Sequence, residues 1–422
     1  MKYNYFKGFM TLVTTCMMTF TTTAHAQKYV GGDISALPTN EQKSPTYYDK
    51  HGNTVSDPLD IFKSEEMNAM RVRLFVKPTD YPNNDPFACQ DLDYVKSLGK
   101  RIKDAGFKLM LDFHYSDTWA DPAKQWTPKA WENLTDEELY QKIYEYTKDA
   151  LLQLKSAGAE PDFIQTGNEI SYGMLWGKEG SNNLKKCFMG STANWSRFTT
   201  LLSEAGKACR EVCPNAKIVL HTERAAQTNV LTNFYDKMKD ANIDYDIIGL
   251  SYYPIWHNNI ATLETAINTL ETRYTDKDIM IVEVGAAYSW LPGDKDYTPD
   301  YATTENGQKQ FTDDLIAMLN KHNKVTGLFW WWMDYNAYPW DTTRMDDWWY
   351  APLIDSNTGK PLAAMSSLKN FLDGSTDIRH SIVDKIDDNG QWFTVSGQPA
   401  GQNPTKPGLY VRNGKKKIVE RR

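Results

Sequence analysis

Apolar residues recur along the chain in short strand-like blocks, each followed by a longer stretch where they return every three or four positions. The blocks are Tyr29–Ile34, Ala69–Val76, Phe107–Phe113, Asp162–Thr166, Lys217–His221, Asp246–Tyr253, Asp278–Val284 and Thr326–Trp332. Helical spacing marks Asp91–Ala105, Asp136–Ala157, Trp195–Val212, Leu263–Tyr274, Gln308–His322 and Leu362–Leu372. Runs such as Ile279-Met280-Ile281-Val282 are apolar on both faces, as a buried parallel strand requires. Eight strand–helix units predict an α/β fold, a (β/α)8 TIM barrel. A doubly wound open sheet shares the alternation, but it ordinarily carries a Gly-rich phosphate loop after an early strand, and the sequence has none.

Both ends depart from the pattern. Lys2 and Lys7 precede an apolar stretch from Phe9 to Phe20, followed by Ala24-His25-Ala26. A basic start, a short apolar segment and a small-x-small site predict a signal peptide over residues 1–26. Lipid anchoring at Cys16 is the alternative, although Thr14-Thr15 before it fits a lipobox poorly. The barrel is assigned to residues 27–373, and residues 374–422 to a linker and short extension. That extension has a Gly/Pro-rich stretch from Gly397 to Pro407 and then a hairpin pattern with Asn413-Gly414 as its turn. It is too short to hold a sizeable core. It resembles C-terminal segments of some secreted envelope proteins, with an accessory hairpin or a sorting signal as the two readings.

Composition narrows the partners. The 422 residues include 47 Lys and Arg against 54 Asp and Glu, a net charge of −7, and residues 1–26 contribute only basic charge. An acidic mature chain argues against nucleic acid and anionic membranes. No later apolar run is long enough to span a bilayer. The expectation is an extracytoplasmic protein, secreted, periplasmic or at the cell surface, taken as a monomer. Its 14 Trp, 24 Tyr and 16 Phe can line a ligand cleft. Cys89, Cys187, Cys209 and Cys213 match no zinc spacing and are expected as thiols.

In a barrel of this type the strand C-termini face one mouth, so the residues that end each strand carry the chemistry. Strand one ends in Gly31-Gly32-Asp33-Ile34-Ser35, and strand two carries Arg71 and Arg73 on one face. Strand three runs into His114-Tyr115-Ser116-Asp117-Thr118-Trp119 and strand four into Gly167-Asn168-Glu169-Ile170. His221, Tyr253, Glu283 and Trp331 mark the ends of the remaining four strands. Two acids, Glu169 and Glu283, thus face each other across the mouth. Glycosidic cleavage needs one protonated carboxyl to assist the leaving oxygen and one ionised carboxylate to attack. Arg71 is expected to favour the charge on Glu283, and burial near that charge to keep Glu169 protonated. Trp119, Trp256, Trp331 and Trp340 can stack on sugar rings or pack the barrel. His114 and His221 lack a third matched ligand for a metal.

With these motifs in place the sequence resembles glycoside hydrolase family 53, the arabinogalactan endo-β-1,4-galactanases, within the clan of retaining (β/α)8 glycosidases. The resemblance covers about residues 30–372. It rests on Gly32-Asp33-Ile34-Ser35, Arg71-Val72-Arg73, the string from His114 through Pro122, Gly167-Asn168-Glu169-Ile170 with Gly173 and Trp176, and Ile248 through Pro254. It implies Glu169 as acid/base and Glu283 as nucleophile. It also implies that Arg71, His114, Asn168, His221, Tyr253 and Trp331 shape the site, with Asp33, Arg73, Asp117, Trp119 and Trp256 as further substrate-binding or supporting residues. The implied substrate is β-1,4-galactan or its oligosaccharides, with no cofactor required. Calcium bound by some relatives makes Asp294 and Asp296 weak candidate ligands here. Trp331 is followed by Trp332, Met333 and Asp334 where the family usually shows Trp-Glu-Pro, so the outer subsites are expected to differ. Another retaining barrel glycanase, of xylanase or mannanase type, and a non-catalytic glycan-binding barrel are the alternatives.

Overall fold

A computed structural model describes residues 27–81, 85–291, 298–334, 350–355, 358–373, 392–394, 399–401, 403–412 and 415–419. Eight parallel strands close a barrel: β1 (Tyr29–Asp33), β2 (Ala69–Leu74), β3 (Lys108–Phe113), β4 (Phe163–Thr166), β5 (Lys217–Thr222), β6 (Ile247–Tyr252), β7 (Asp278–Val284) and β8 (Val325–Trp330). Each pairs with its sequence neighbours, and β8 returns to β1. The helices that follow them are α1 (Pro58–Ser64), α2 (Leu92–Asp104), α3 (Asp136–Ser156), α4 (Trp195–Val212), α5 (Thr228–Asp240), α6 (Ile260–Arg273), α7 (Glu305–Leu319) and α8 (Ala363–Ser367). Their starts are written in the sequence. Asp91 accepts from Tyr94 N–H before α2, and Thr135 and Glu138 cap each other's backbone at the start of α3.

Alternation along each strand divides the side chains between two layers. Met70, Val72, Leu74, Leu109, Leu111 and Phe113 pack outward with helix residues such as Leu98, Ile102 and Leu151. Ala69, Met110, Phe163, Val219, Ile247, Met280 and Phe329 fill the barrel interior with apolar surface. Two residues further along their strands stand Arg71, Asp112, Gln165 and His221, all fully buried. An apolar floor therefore carries a polar layer at the C-terminal mouth, where this fold places its chemistry.

Strand β7 breaks the alternation at a decisive point. Ile279 and Ile281 face the helices and Met280 faces inward. Uninterrupted parity would turn Glu283 outward with Ile281. Instead Leu250 and Ser251 of β6 pair with Ile281 and Glu283, while Leu328 and Trp330 of β8 pair with Ile281 and Val284. The extra residue, Val282, is a bulge that resets the parity. Glu283 then reaches the mouth and Val284 joins the outer layer.

Two strand ends differ from expectation. Strand eight stops at Trp330; Trp331 and Trp332 form a turn in which Trp332 has φ 50°. Tyr253 lies one residue beyond β6 and starts the short helix Pro254–His257. All four cysteines in the described residues are free thiols.

A separate unit is formed by residues 377–422. Its described strands are β9 (Trp392–Thr394), β10 (Pro399–Gly401), β11 (Gly408–Arg412) and β12 (Lys415–Val419), an antiparallel sheet in the order β10-β9-β11-β12. The expected hairpin is the β11–β12 pair, closed where Arg412 meets Lys415. The sequence reading missed the other two strands, which are only three residues long. The signal-peptide segment 1–26, with Cys16, and Asp294, Asp296 and Trp340 lie outside the described residues.

Candidate active site

Glu169 reaches the mouth through a strained turn. After β4 ends at Thr166, Gly167 takes φ 111° and Glu169 itself takes φ 49°, a left-handed conformation uncommon for a residue with a side chain. A Cβ on Gly167 would stand 2.6 Å from Ile170 Cγ2, so glycine is required there. The loop after β3 grips the turn: Gln125 Nε2 donates to Asn168 O at 2.7 Å, and Asn168 Nδ2 donates to Ala120 O at 2.8 Å. Ala120 N–H in turn donates to His114 Nδ1 at 2.9 Å. The string from His114 to Pro122 thus holds the Asn168–Glu169 turn in place.

Arg71 is the hub of the polar layer. Its guanidinium lies 3.1 Å from Asp33 Oδ2, 2.8 Å from Asp112 Oδ2 and 3.0 Å from Glu283 Oε1. It also donates to Asn168 Oδ1 at 2.9 Å. Arg73 binds the other Asp33 oxygen at 3.1 Å and lies 4.3 Å from the centre of the Trp119 ring. Asp33 is therefore an anchor for both arginines. Asp112 and Gln165 had not been singled out in the sequence, yet Gln165 Nε2 donates to Asp112 Oδ1 at 2.6 Å and Asp112 Oδ2 stands 3.1 Å from His114 Nε2. A polar residue at inward parity in an apolar strand was the signal for both.

The two glutamates have different partners. Tyr253 O–H donates to Glu283 Oε2 at 2.8 Å, whereas Ser251 O–H donates to Glu169 Oε1 at 2.6 Å. Ser251 Oγ also lies 2.8 Å from His221 Nε2. His221 Nδ1 lies 2.9 Å from Gln165 Nε2 and 3.0 Å from Asn168 Oδ1. Polar contacts thus run from Glu169 through Ser251, His221, Asn168 and Arg71 to Glu283.

Electrostatics separate the same pair. Burial, then the negative charges of Glu283 and Glu223, push Glu169 well above the usual carboxyl range. Burial also raises Glu283, with Arg71 and the Tyr253 hydroxyl opposing it. Arg71 thus acts as expected, but burial outweighs it, and the negative charges of Asp112 and Asp33 add to the rise. For Asp112 the balance reverses: burial raises it, yet Arg71 and His114 hold it below its ordinary value. Burial lowers both His114 and His221, so both imidazoles are neutral near neutrality.

Trp119, Trp331, Trp332 and Phe87 wall one cleft that contains Asn168, Glu169 and Glu283. The Trp119 indole N–H donates to Asp85 at 2.6 Å. Trp331 lies 5.5 Å from the Arg71 guanidinium. A second cleft, which shares Glu169 and Asp121 with the first, includes Tyr253, Trp256, Glu223 and Arg224, the last two unanticipated from the sequence. Asp117 is in neither; it accepts from Lys77 N–H at 3.0 Å and Lys129 N–H at 2.8 Å and braces two loops. Among the described residues no cluster of three His, Cys, Asp or Glu is placed to hold a metal.

Comparison with known proteins places this architecture. The model for glycosyl hydrolase family 53 matches residues 29–368. An arabinogalactan endo-beta-1,4-galactanase of Cellvibrio japonicus is 34% identical over 72% of this chain and 79% of its own. An endo-beta-1,4-galactanase of Bacillus subtilis is 30% identical over 71% of this chain and 68% of its own. The solved Ignisphaera aggregans catalytic domain of the same family is 33% identical, with TM-score 0.70 over 82% of this chain and 96% of that one. A xylanase catalytic core at 14% identity and TM-score 0.54 shares the fold alone, over 82% of this chain and 98% of its own. The chain belongs to glycosyl hydrolase family 53.

Proposed function

We propose that this chain is an endo-acting hydrolase of β-1,4-galactosidic bonds in galactan, working with retention through Glu169 as acid/base and Glu283 as nucleophile. The observation that carries the reading is the unequal environment of two carboxyls in one cleft. Both are buried and each accepts a hydroxyl, but Glu283 also has the Arg71 cation beside it, whereas Glu169 faces the negative charges of Glu283 and Glu223. In the first step protonated Glu169 assists the departing oxygen while ionised Glu283 attacks the anomeric carbon. Once Glu283 is esterified its charge is gone, the upward push on Glu169 falls, and Glu169 can accept a proton from water. Asn168 spends one amide N–H on Ala120 O and keeps the second for a sugar hydroxyl. We further propose that residues 1–26 direct export.

Incubation with unbranched β-1,4-galactan, lichenan, xylan and mannan tests the substrate, and only galactan should be shortened. The first product released, followed by NMR, should have the β-anomeric form, and an initial α-anomer would overturn retention.

Tyr253→Phe tests the electrostatic assignment. Its hydroxyl donates to Glu283 and favours the ionised form. Removing it raises the pKa of Glu283, so the acid limb of kcat/KM against pH should move upward by about one unit. The limbs belong to the coupled pair, but the alkaline one should move less. An unmoved acid limb would remove Tyr253 from the control of the nucleophile.

A further inference from the structure

Tyr253 is held in place by something other than the barrel. The pairing of β6 with β7 ends at Tyr252 and Val284, so the next residue stands outside the ladder. Yet Tyr253 is 2% exposed, and its phenol meets Glu283 Oε2 at 2.8 Å. A main-chain N–H buried beyond the ladder needs a partner. His257 supplies it: Tyr253 N–H donates to His257 Nδ1 at 3.0 Å, and His257 N–H donates back to Tyr253 O at 2.8 Å. Both main-chain polar groups of Tyr253 are thus tied to one residue a helical turn away. This is the reach-back of a capping box, made by an imidazole in place of a Glu or Gln. Pro254 between them fixes its own φ and narrows the turn further.

The same bond fixes the state of the ring. An imidazole nitrogen that accepts carries no proton, so His257 is neutral with its proton on Nε2. Burial, and then the positive charge of Arg224, lower its pKa to about 4, while a hydrogen bond with the Glu223 main chain opposes them. Glu169, Asp121 and the Glu223 side chain line the same cleft as His257, and His221 faces it from β5. The acceptor therefore persists across the range in which Glu283, pushed up to about 7, changes its charge.

We propose that His257 is a positioning residue for the nucleophile: its unprotonated Nδ1 holds the Tyr253 main chain, and through it the phenol that donates to Glu283. An aromatic side chain turns about its own backbone, so a loosened main chain at Tyr253 would carry the hydroxyl away from Glu283 Oε2. The carboxylate would then keep Arg71 and lose its hydroxyl donor. The proposal rests on the assignment of Glu283 above and adds the residue that steadies its partner.

His257→Phe removes the acceptor and keeps a flat ring. The acid limb of kcat/KM on galactan should move upward by about half a pH unit, no further than in Tyr253→Phe, and kcat should fall about three- to ten-fold. The double variant His257→Phe/Tyr253→Phe should match Tyr253→Phe alone, since the first change acts only through the hydroxyl that the second removes. His257→Asn, whose Oδ1 can stand where Nδ1 stood, should return the limb toward that of the parent. A histidine that only supports the fold would lower the thermal midpoint in His257→Phe with the limb unmoved. That result, a shift that adds in full to the one in Tyr253→Phe, or no recovery in His257→Asn would each overturn the proposal. In the parent chain, NMR of ¹⁵N-labelled histidine should show His257 protonated on Nε2 from about pH 5 to about pH 8. A proton on Nδ1 would overturn the proposal whatever the variants do. If Tyr253→Phe itself leaves the limb unmoved, the control of Glu283 by Tyr253 fails and the proposal with it. A limb moved by Tyr253→Phe and not by His257→Phe overturns the proposal alone. A parent chain that leaves galactan intact overturns the hydrolase reading, and the tautomer then still tests the acceptor at His257.

Discussion

Glu283→Gln should reduce turnover on every substrate by roughly four to six orders of magnitude, because it removes the group that forms the covalent intermediate. Glu169→Gln should cost about 10²- to 10⁴-fold on galactan, the usual contribution of a general acid. Its loss should depend on the leaving group. An aryl galactoside with an acidic phenol needs little protonation, so its first step should survive, leaving breakdown of the intermediate slow. Azide, which attacks without a base, should restore the second step in Glu169→Gln and leave Glu283→Gln inert. Equal losses on galactan and aryl substrates would reverse or dissolve the assignment. Folding will not confuse the result for Glu169. Its raised pKa means that its ionised form is disfavoured in the folded state, a penalty absent at low pH that grows as pH rises toward the folded pKa. At neutral pH the glutamine variant should therefore be at least as stable as the parent, which a denaturant titration would show.

Arg71→Met should have the largest effect on stability. The side chain is fully buried and pairs with Asp33, Asp112 and Glu283 at 2.8–3.1 Å. Removing the cation leaves buried carboxylates without compensation, a change that typically costs about 3–5 kcal/mol. Against a total stability of roughly 5–15 kcal/mol this is a large fraction. The midpoint of denaturant unfolding should fall accordingly, and the acid limb of the rate profile should rise as Glu283 loses its counter-ion. Arg71→Lys separates charge from shape: a point charge can recover part of the stability, but it cannot reach three carboxylates and Asn168 at once. Its activity should stay low after its stability has partly returned. If Lys restored both, the fork geometry at this position would be irrelevant. The same cluster sets a pH dependence. Asp112, held below its ordinary value, contributes stability present above its unfolded pKa and lost as pH falls through the folded one.

Much of the architecture can be read from local chemistry. Eight apolar blocks separated by helical spacing define the barrel because each strand must bury both faces and each helix one stripe. Arg71 and Arg73 share a face by alternation alone, and Asn168-Glu169 at the end of a strand needs no tertiary knowledge to stand out. Local chemistry does not determine parity across an irregularity. Nothing in Ile281-Val282-Glu283 announces that Val282 is the extra residue, since a bulge is chosen by the neighbours that β7 must pair with. Without it Glu283 would face the helices. The sharing of hydroxyls was equally hidden: Ser251 and Tyr253 have the same strand parity, yet the chain leaves β6 at Tyr252, and each serves a different glutamate. The net upward shift of Glu283 comes first from its burial and then from Asp112 and Asp33 around the same guanidinium, and both are three-dimensional facts. Glu223 and Arg224 look like an ordinary adjacent ion pair in the sequence; only packing buries one oxygen and one nitrogen of the pair without a partner. Sequence order determined which chemical groups stand at the mouth, because strand ends and periodicity are local. The closed barrel decided which way each one points and what charge it prefers, because those depend on neighbours far away along the chain.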